Sequence, residues 1–343
     1  MSLILSKKII AWYQKHQRDL PWRKYKNSAD RDFRVLLSEI MLQQTKVSTV
    51  IPYFNKFYKK FSSIESLSKS RITSVLKLWE GLGYYRRARN LHQTAKIIVK
   101  KYNGILPDSF LHLKSLPGIG DYTASAILAI AKDKSYIGID GNVKRVISRI
   151  FNLYQEKNFP FNLEQKLKTM KVNVGSSDLM QGIMEIGALL CLPKDPKCKL
   201  CPLKNNCISH KKNTFNKVST KKYTKERNFY VFYLKKNNRI LFTYNKNFNF
   251  LDQLINLPII ESSLKNYKLL ARRVFKKVIL KDSLISNLRY KISNFIMVIK
   301  VIELKDASIN KDNFFWIHKD DISKFTISVL AKKLLKLKEI NIK

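Results

Sequence analysis

Along residues 1 to about 210, apolar side chains recur every three or four positions in runs broken by short turns containing Gly or Pro. This period predicts amphipathic helices over SKKIIAWYQKH, FRVLLSEIMLQQTKVSTVIPYFNKFYKKF, SRITSVLKLWEGL, RRARNLHQTAKIIVKKY, YTASAILAIAK and NVKRVISRIFNLY. The stretch HKKNTFNKVSTKKYTKERN, residues 210–228, is polar and basic, lacks any apolar period, and reads as a linker. After it the period shortens to two. NFYVFYLKKNNRILFTYN predicts two strands joined by a KKNN turn, RYKISNFIMVIKVIEL one or two more, and TISVLAKKLLKLKEI a closing helix. The chain therefore divides into a helical domain over residues 1–209 and a smaller α+β domain over residues 229–343.

A length of 343 residues with 45 % apolar side chains suits two domains with real cores. No apolar run reaches the roughly 18–20 residues of a membrane span, and the first segment lacks the apolar centre of a signal peptide. The expectation is a soluble, monomeric, cytoplasmic protein associated with the nucleoid and not with a membrane. Against 25 acidic side chains stand 66 Lys and Arg, a formal charge of +41. That excess suits a polyanion such as nucleic acid, because each neutralised phosphate releases counterions. A general bias of the chain towards Lys, Asn and Ile explains the same number, so charge alone leaves the partner open.

All four cysteines fall in CLPKDPKCKLCPLKNNC, with spacing C-x6-C-x2-C-x5-C at Cys191, Cys198, Cys201 and Cys207. Two disulfides in so short a segment would staple little. A metal cage fits better, either tetrahedral zinc or a [4Fe-4S] cluster, and the single C-x2-C knuckle favours the cluster. Lys194, Lys197, Lys199 and Lys204 would then ring it on a solvent face. LKSLPGIGDYTASAILAI sets Pro117, Gly118 and Gly120 in a tight turn before a helix, either an ordinary connection or a hairpin whose backbone N–H groups approach a phosphate. In the D-G-N turn opening the next helix, Asp140 or Asn142 would serve as a helix cap, and capping would hold Asp140 ionised for chemistry as well. Glu39 lies at the margin of an apolar stripe through Phe33, Leu36, Leu37 and Ile40, with Gln44 on that same face. It is either a solvated flank residue or a carboxyl raised towards neutral pH.

LPWR (20–23), SEIMLQQT (38–45), WEGLGYYRRARNL (79–91), LPGIGDYTASAI (116–127), DGNVKRV (140–146), MEIGALLC (184–191) and the cysteine loop occur in one order. Together they closely resemble the adenine DNA glycosylases of the MutY type, in the endonuclease III superfamily, over nearly all of residues 1–210. The resemblance implies a mainly α, two-lobed helix-hairpin-helix fold, a [4Fe-4S] loop over residues 191–207, and double-stranded DNA with an adenine mispair in the cleft. It assigns proton donation to Glu39, stabilisation of a sugar cation to Asp140, and support to Tyr122 and Asn142. Trp22, Arg23, Leu42 and Glu185 would line the adenine pocket. Gln44 and Tyr84 would enter the duplex, although beside Gly83 a core aromatic is the plainer reading of Tyr84. Arg86, Pro117, Gly118 and Gly120 would meet the backbone. Relatives that also cleave the strand carry a lysine where this chain has Tyr122, and a phenol cannot form their imine. Hydrolysis alone is therefore expected, with a pyrimidine-lesion glycosylase and lyase, or a non-catalytic iron–sulfur DNA-binding protein, as the alternatives. The family's C-terminal domain resembles an inactive Nudix fold that recognises 8-oxoguanine. Its Phe-Ser-His loop falls on Ile292, Ser293 and Asn294, which keeps the hydroxyl and lacks the aromatic and the imidazole. FLDQLINLP (250–258) keeps only traces of the usual pattern, and no acidic Nudix signature is present.

Overall fold

Helix α1 (Ser2–His16) is followed by α2 (Ser28–Leu42), α3 (Val47–Lys60), α4 (Ile64–Ser68), α5 (Ile72–Leu78), α6 (Arg86–Tyr102) and α7 (Phe110–Lys114). Then come α8 (Asp121–Ile130), α9 (Gly141–Phe151), α10 (Phe159–Met170), α11 (Ser176–Leu189) and the short α12 (Ile208–Lys211). The computed structural model describes residues 2–156, 158–170, 172–215, 225–244, 248, 254–264, 266–292, 295–309 and 313–337. No described helix is long and apolar enough to cross a membrane. The chain forms two units, Met1–Ser219 and Thr220–Lys343.

Within the first unit, α2 to α8 pack as one group and α1 with α9 to α12 as another, joined where α8 meets α11. Asn27 caps α2 by accepting from the Asp30 N–H, and the helix buries Phe33, Leu36, Leu37 and Ile40 as the period required. The predicted run over residues 33–61 is not continuous. Helix α2 stops at Leu42, and Gln44 takes a left-handed φ of 55° before α3 begins. Gln44 therefore does not share the apolar face of α2. In the turn between α7 and α8, Gly118 has φ +80° and its Cα faces Asn90, so a side chain there would be both strained and crowded.

The second unit is α+β. Strand β1 (Lys225–Tyr233) lies between β5 (Ile259–Glu261), antiparallel, and β7 (Phe295–Ser308), parallel, while β6 (Lys277–Ile292) pairs antiparallel with β7. A second sheet joins β2 (Lys235–Lys236), β3 (Arg239–Tyr244), β4 (Ile255–Asn256) and β8 (Phe314–His318). Alternation along β1 sends Phe229, Val231 and Tyr233 to a core shared with α14 (Val329–Leu335). Tyr230 and Phe232 face a second core containing Leu270 and Ala271 of α13 (Tyr267–Val274). The predicted turn connects β2 to β3, with Asn237 and Asn238 both at positive φ, and β1 sits in the other sheet. Strand pairing begins at Lys225, inside the stretch read as linker, and α12 extends to Lys211. Residues 216–224 of that linker, residues 250–253, and Ser293 and Asn294 lie outside the described residues.

Candidate active site

Three segments of the first unit converge on Glu39. Far from standing at a solvated margin, its side chain is only 6 % exposed. Burial raises its carboxyl to about 7; a hydrogen bond shared with Tyr122 opposes that rise, and the charge of Asp140 adds to it. Burial and the two carboxylates hold the Tyr122 phenol well above its ordinary range, so it remains neutral. Asp140 caps α9: its Oδ1 accepts from the Val143 N–H at 2.7 Å and its Oδ2 from Asn142 Nδ2 at 3.0 Å. With both oxygens held, this carboxylate has a fixed orientation. Asn142 in turn accepts from Arg145 at 2.8 Å, and Arg145 also donates to the carbonyls of Gly187 and Cys191, each at 2.7 Å. A Cβ at position 187 would stand 2.6 Å from the Asn142 Cβ, so glycine there permits the close approach of α9 to α11.

Glu39 also faces a cavity of ≈ 270 Å³ lined by Trp22, Arg23, Leu42 and Glu185, near the small end of ligand sites. Glu185 is 1 % exposed. It accepts from Arg18 Nε and from Arg23 Nη1, each at 2.7 Å, and Arg23 Nε also donates to Gln181 at 2.9 Å. Trp22 packs edge-on against Phe54 with ring centroids 5.3 Å apart. The cavity thus has an aromatic and aliphatic wall, a buried acid held by two cations, and the Glu39 carboxyl. A flat, heteroatom-bearing base suits that combination.

Tyr84 is 43 % exposed and has φ +50°, so it is not a core aromatic. Gln44 and Arg86 are exposed as well. Gln43 Nε2 donates to the Gly118 carbonyl at 3.1 Å, tying the end of α2 to the hairpin, and Thr94 Oγ1 donates to the Pro117 carbonyl at 3.0 Å. Lys132 and Lys134 are engaged with Asp32 and Asp108, at 2.5 and 2.8 Å.

Cys191, Cys198, Cys201 and Cys207 are half-buried free thiols that line one cavity beneath Val146, Arg149 and Leu203. Burial pushes the Cys201 thiol up to about 11, and its three neighbouring cysteines add to that. Among the described residues no three His, Cys, Asp or Glu side chains are arranged to grip a single ion. Four cysteines lining one cavity are a donor set of the kind that holds a metal centre. Arg149, 2 % exposed, donates to Cys191 Sγ at 3.4 Å and to the carbonyls of Leu192 and Pro193. Lys194, Lys197, Lys199 and Lys204 are all exposed.

Sequence reasoning did not single out Arg18, Gln43, Arg87, Arg145 or Arg149. The available signal was a charged residue inside an otherwise apolar helical run, as with Arg145 and Arg149 four apart in NVKRVISRI.

Residues 37–171 match the HhH-GPD superfamily of base excision DNA repair proteins. The first unit also superimposes on the structure of a thermostable thymine-DNA glycosylase, with a TM-score of 0.55 and 27 % identity, covering 62 % of this chain and 97 % of that one. A trapped endonuclease III–DNA covalent intermediate shares the fold, with a TM-score of 0.51 and 21 % identity over 61 % of this chain and 94 % of that one. The matched segment holds both the 117–120 hairpin and the fixed Asp140. The particular relatives are narrower in name. An adenine DNA glycosylase of Buchnera aphidicola is 42 % identical over 226 residues, covering 65 % of this chain and 63 % of that protein. The adenine DNA glycosylase of Rattus norvegicus is 36 % identical over 212 residues, 60 % of this chain and 41 % of that protein. The match thus spans less than two thirds of each relative's length.

Proposed function

We propose that this chain is a monofunctional DNA glycosylase that removes adenine from a mispair by hydrolysing its N-glycosidic bond. The observation that carries this reading is the buried Glu39 carboxyl, raised to about 7 between a base-sized cavity and the anchored Asp140. Two neighbouring carboxyl groups in unlike environments divide acid and anion roles between them.

The target base must leave the stack, which requires roughly a few kcal/mol and less at a mispair. Trp22 and Leu42 then cover its faces, while Glu185, held by Arg18 and Arg23, offers fixed polarity at its edge. Glu39 gives its proton to a purine ring nitrogen; the C1′–N9 bond breaks with its electron pair going to the base, and neutral adenine departs. The positive charge left on the sugar faces the Asp140 carboxylate, held for that task by Val143 and Asn142. Water adds to the sugar carbon and gives its proton to Glu39, which restores the enzyme. Lysine chemistry has no place in this sequence, since Tyr122 stands at the hairpin helix and Lys132 and Lys134 are occupied. Cys191, Cys198, Cys201 and Cys207 would hold a [4Fe-4S] cluster, which when bound would fold their loop and present its lysines to phosphate. Gln44 and Tyr84 would fill the gap left by the flipped base, and Arg86 and the 117–120 turn would hold the strand. The Thr220–Lys343 unit would read the opposing 8-oxoguanine through Ser293.

The test is incubation with duplexes carrying adenine opposite 8-oxoguanine, guanine, cytosine or thymine, followed by alkali, with borohydride added in parallel. Alkali-dependent cleavage at adenine without a trapped adduct is expected. A covalent adduct, or release of an oxidised pyrimidine in place of adenine, would restore the lyase alternative.

A further inference from the structure

Nine non-glycine residues have positive φ among those described, and seven of them are Asn or Asp, the types that tolerate this backbone. Gln44 and Tyr84 are the other two. Both are exposed, they belong to different connections, and neither side chain bonds its own backbone to favour the conformation. One buried group stands behind both. Arg87, on the first turn of α6 and 7 % exposed, donates Nη1 to the Gln43 carbonyl at 2.8 Å and Nη2 to the Gly83 carbonyl at 3.1 Å. Those carbonyls belong to the peptide groups that lead into Gln44 and Tyr84, so fixing their planes fixes the φ of each following residue. Nη1 also reaches the carbonyls of Ile40 and Met41, completing the C-terminus of α2, and Nη2 reaches that of Leu82. The guanidinium lies 5.4 Å from the centre of the Tyr84 ring. Among the described residues no carboxylate pairs with it. Its partners are backbone carbonyls, so its geometry serves the main chain.

From this we infer that Arg87 is a positioning residue that holds Gln44 and Tyr84 as one paired device for opening the duplex. The inference rests on the reading of those two residues as the ones that enter DNA. Lysine keeps the charge but lacks the planar fork needed to reach both peptide groups. Single-turnover adenine release is measured for Arg87→Lys, Tyr84→Ala, Gln44→Ala and the combinations, together with the fluorescence of 2-aminopurine beside the mispair and the melting temperature. Arg87→Lys should lower release roughly 10- to 100-fold and abolish the fluorescence rise on binding. Adding Tyr84→Ala or Gln44→Ala to it should cost nothing further. Arg34→Lys, which disturbs a half-buried arginine paired with Asp30 in the same unit, should instead combine multiplicatively with Tyr84→Ala. If Arg87→Lys does not fold, the Tyr84→Ala/Gln44→Ala double variant carries the test: held as one device, the two should lose no more release together than the larger single loss. Losses that multiply between Arg87→Lys and both partners, or between Tyr84→Ala and Gln44→Ala, would overturn the pairing alone. Unchanged release in both single alanine variants would instead overturn the duplex-entering role, and the pairing with it.

Discussion

Replacing Glu39 by Gln keeps the shape of the buried side chain and removes its titration. In the unfolded chain this carboxyl loses its proton near 4.5, and in the folded protein near 7. Between those values the native state binds the proton that the unfolded state has released, so stability falls as pH rises. Integrating the two titrations gives a loss of about 2 to 3 kcal/mol from this group between pH 5 and pH 8. Most of it falls below pH 7, and the curve flattens above that as Glu39 ionises in both states. Glu39→Gln abolishes that loss, so the variant should gain about 2 to 3 kcal/mol on the parent across the same interval. Urea unfolding of both proteins, followed by tryptophan fluorescence at half-unit pH steps, measures the difference while every other group cancels. A difference that stays constant from pH 5 to pH 8, or grows towards low pH, would refute the assignment of a buried, raised carboxyl.

The purified protein should be brown and carry about four irons per chain, and Cys198→Ser should lose the colour and much of the iron; stoichiometric zinc in its place would reverse the assignment. Tyr122→Phe removes the hydrogen bond that lowers the Glu39 carboxyl, so the alkaline limb of its rate profile should move to higher pH, and a downward move would show that the bond serves another end. Glu185→Gln leaves Arg18 and Arg23 without their shared anion and should destabilise the protein by about 2 to 3 kcal/mol, somewhat under a fully buried pair because Arg18 is partly exposed. The same variant should weaken binding of mispaired DNA, and unchanged melting with unchanged affinity would remove the acid from the cavity's working parts.

Helical periodicity marked α2, α8 and α9 because apolar residues recur at helical spacing in each, although α8 buries seven of its last eight residues, and local turn chemistry placed Asp140 at a cap. It also brought Gln44 wrongly onto the face of α2. A run of apolar residues at helical spacing does not reveal that Arg87, more than forty residues later, will receive the last carbonyls of that helix and turn the chain out. Tyr84 misled for a related reason, since a tyrosine beside glycine looks like core until the backbone is known to be left-handed. The burial of Glu39 depends on α8 and Tyr122, which lie across the unit and leave no trace in the spacing of SEIMLQQT. In the second unit, alternation marked β1, β3 and β7, but pairing is not a local property. The parallel partnership of β1 with β7 separates β1 from β3, although only five residues lie between them.

The most direct measurement is the pH dependence of single-turnover adenine release from duplex saturated with the parent enzyme, between pH 5.5 and pH 9. If a proton on Glu39 must reach the base, the rate will hold on the acid side and fall above about 7, approaching tenfold per unit. A rate that remains level to pH 9, with Glu39→Gln equally active, would contradict the account.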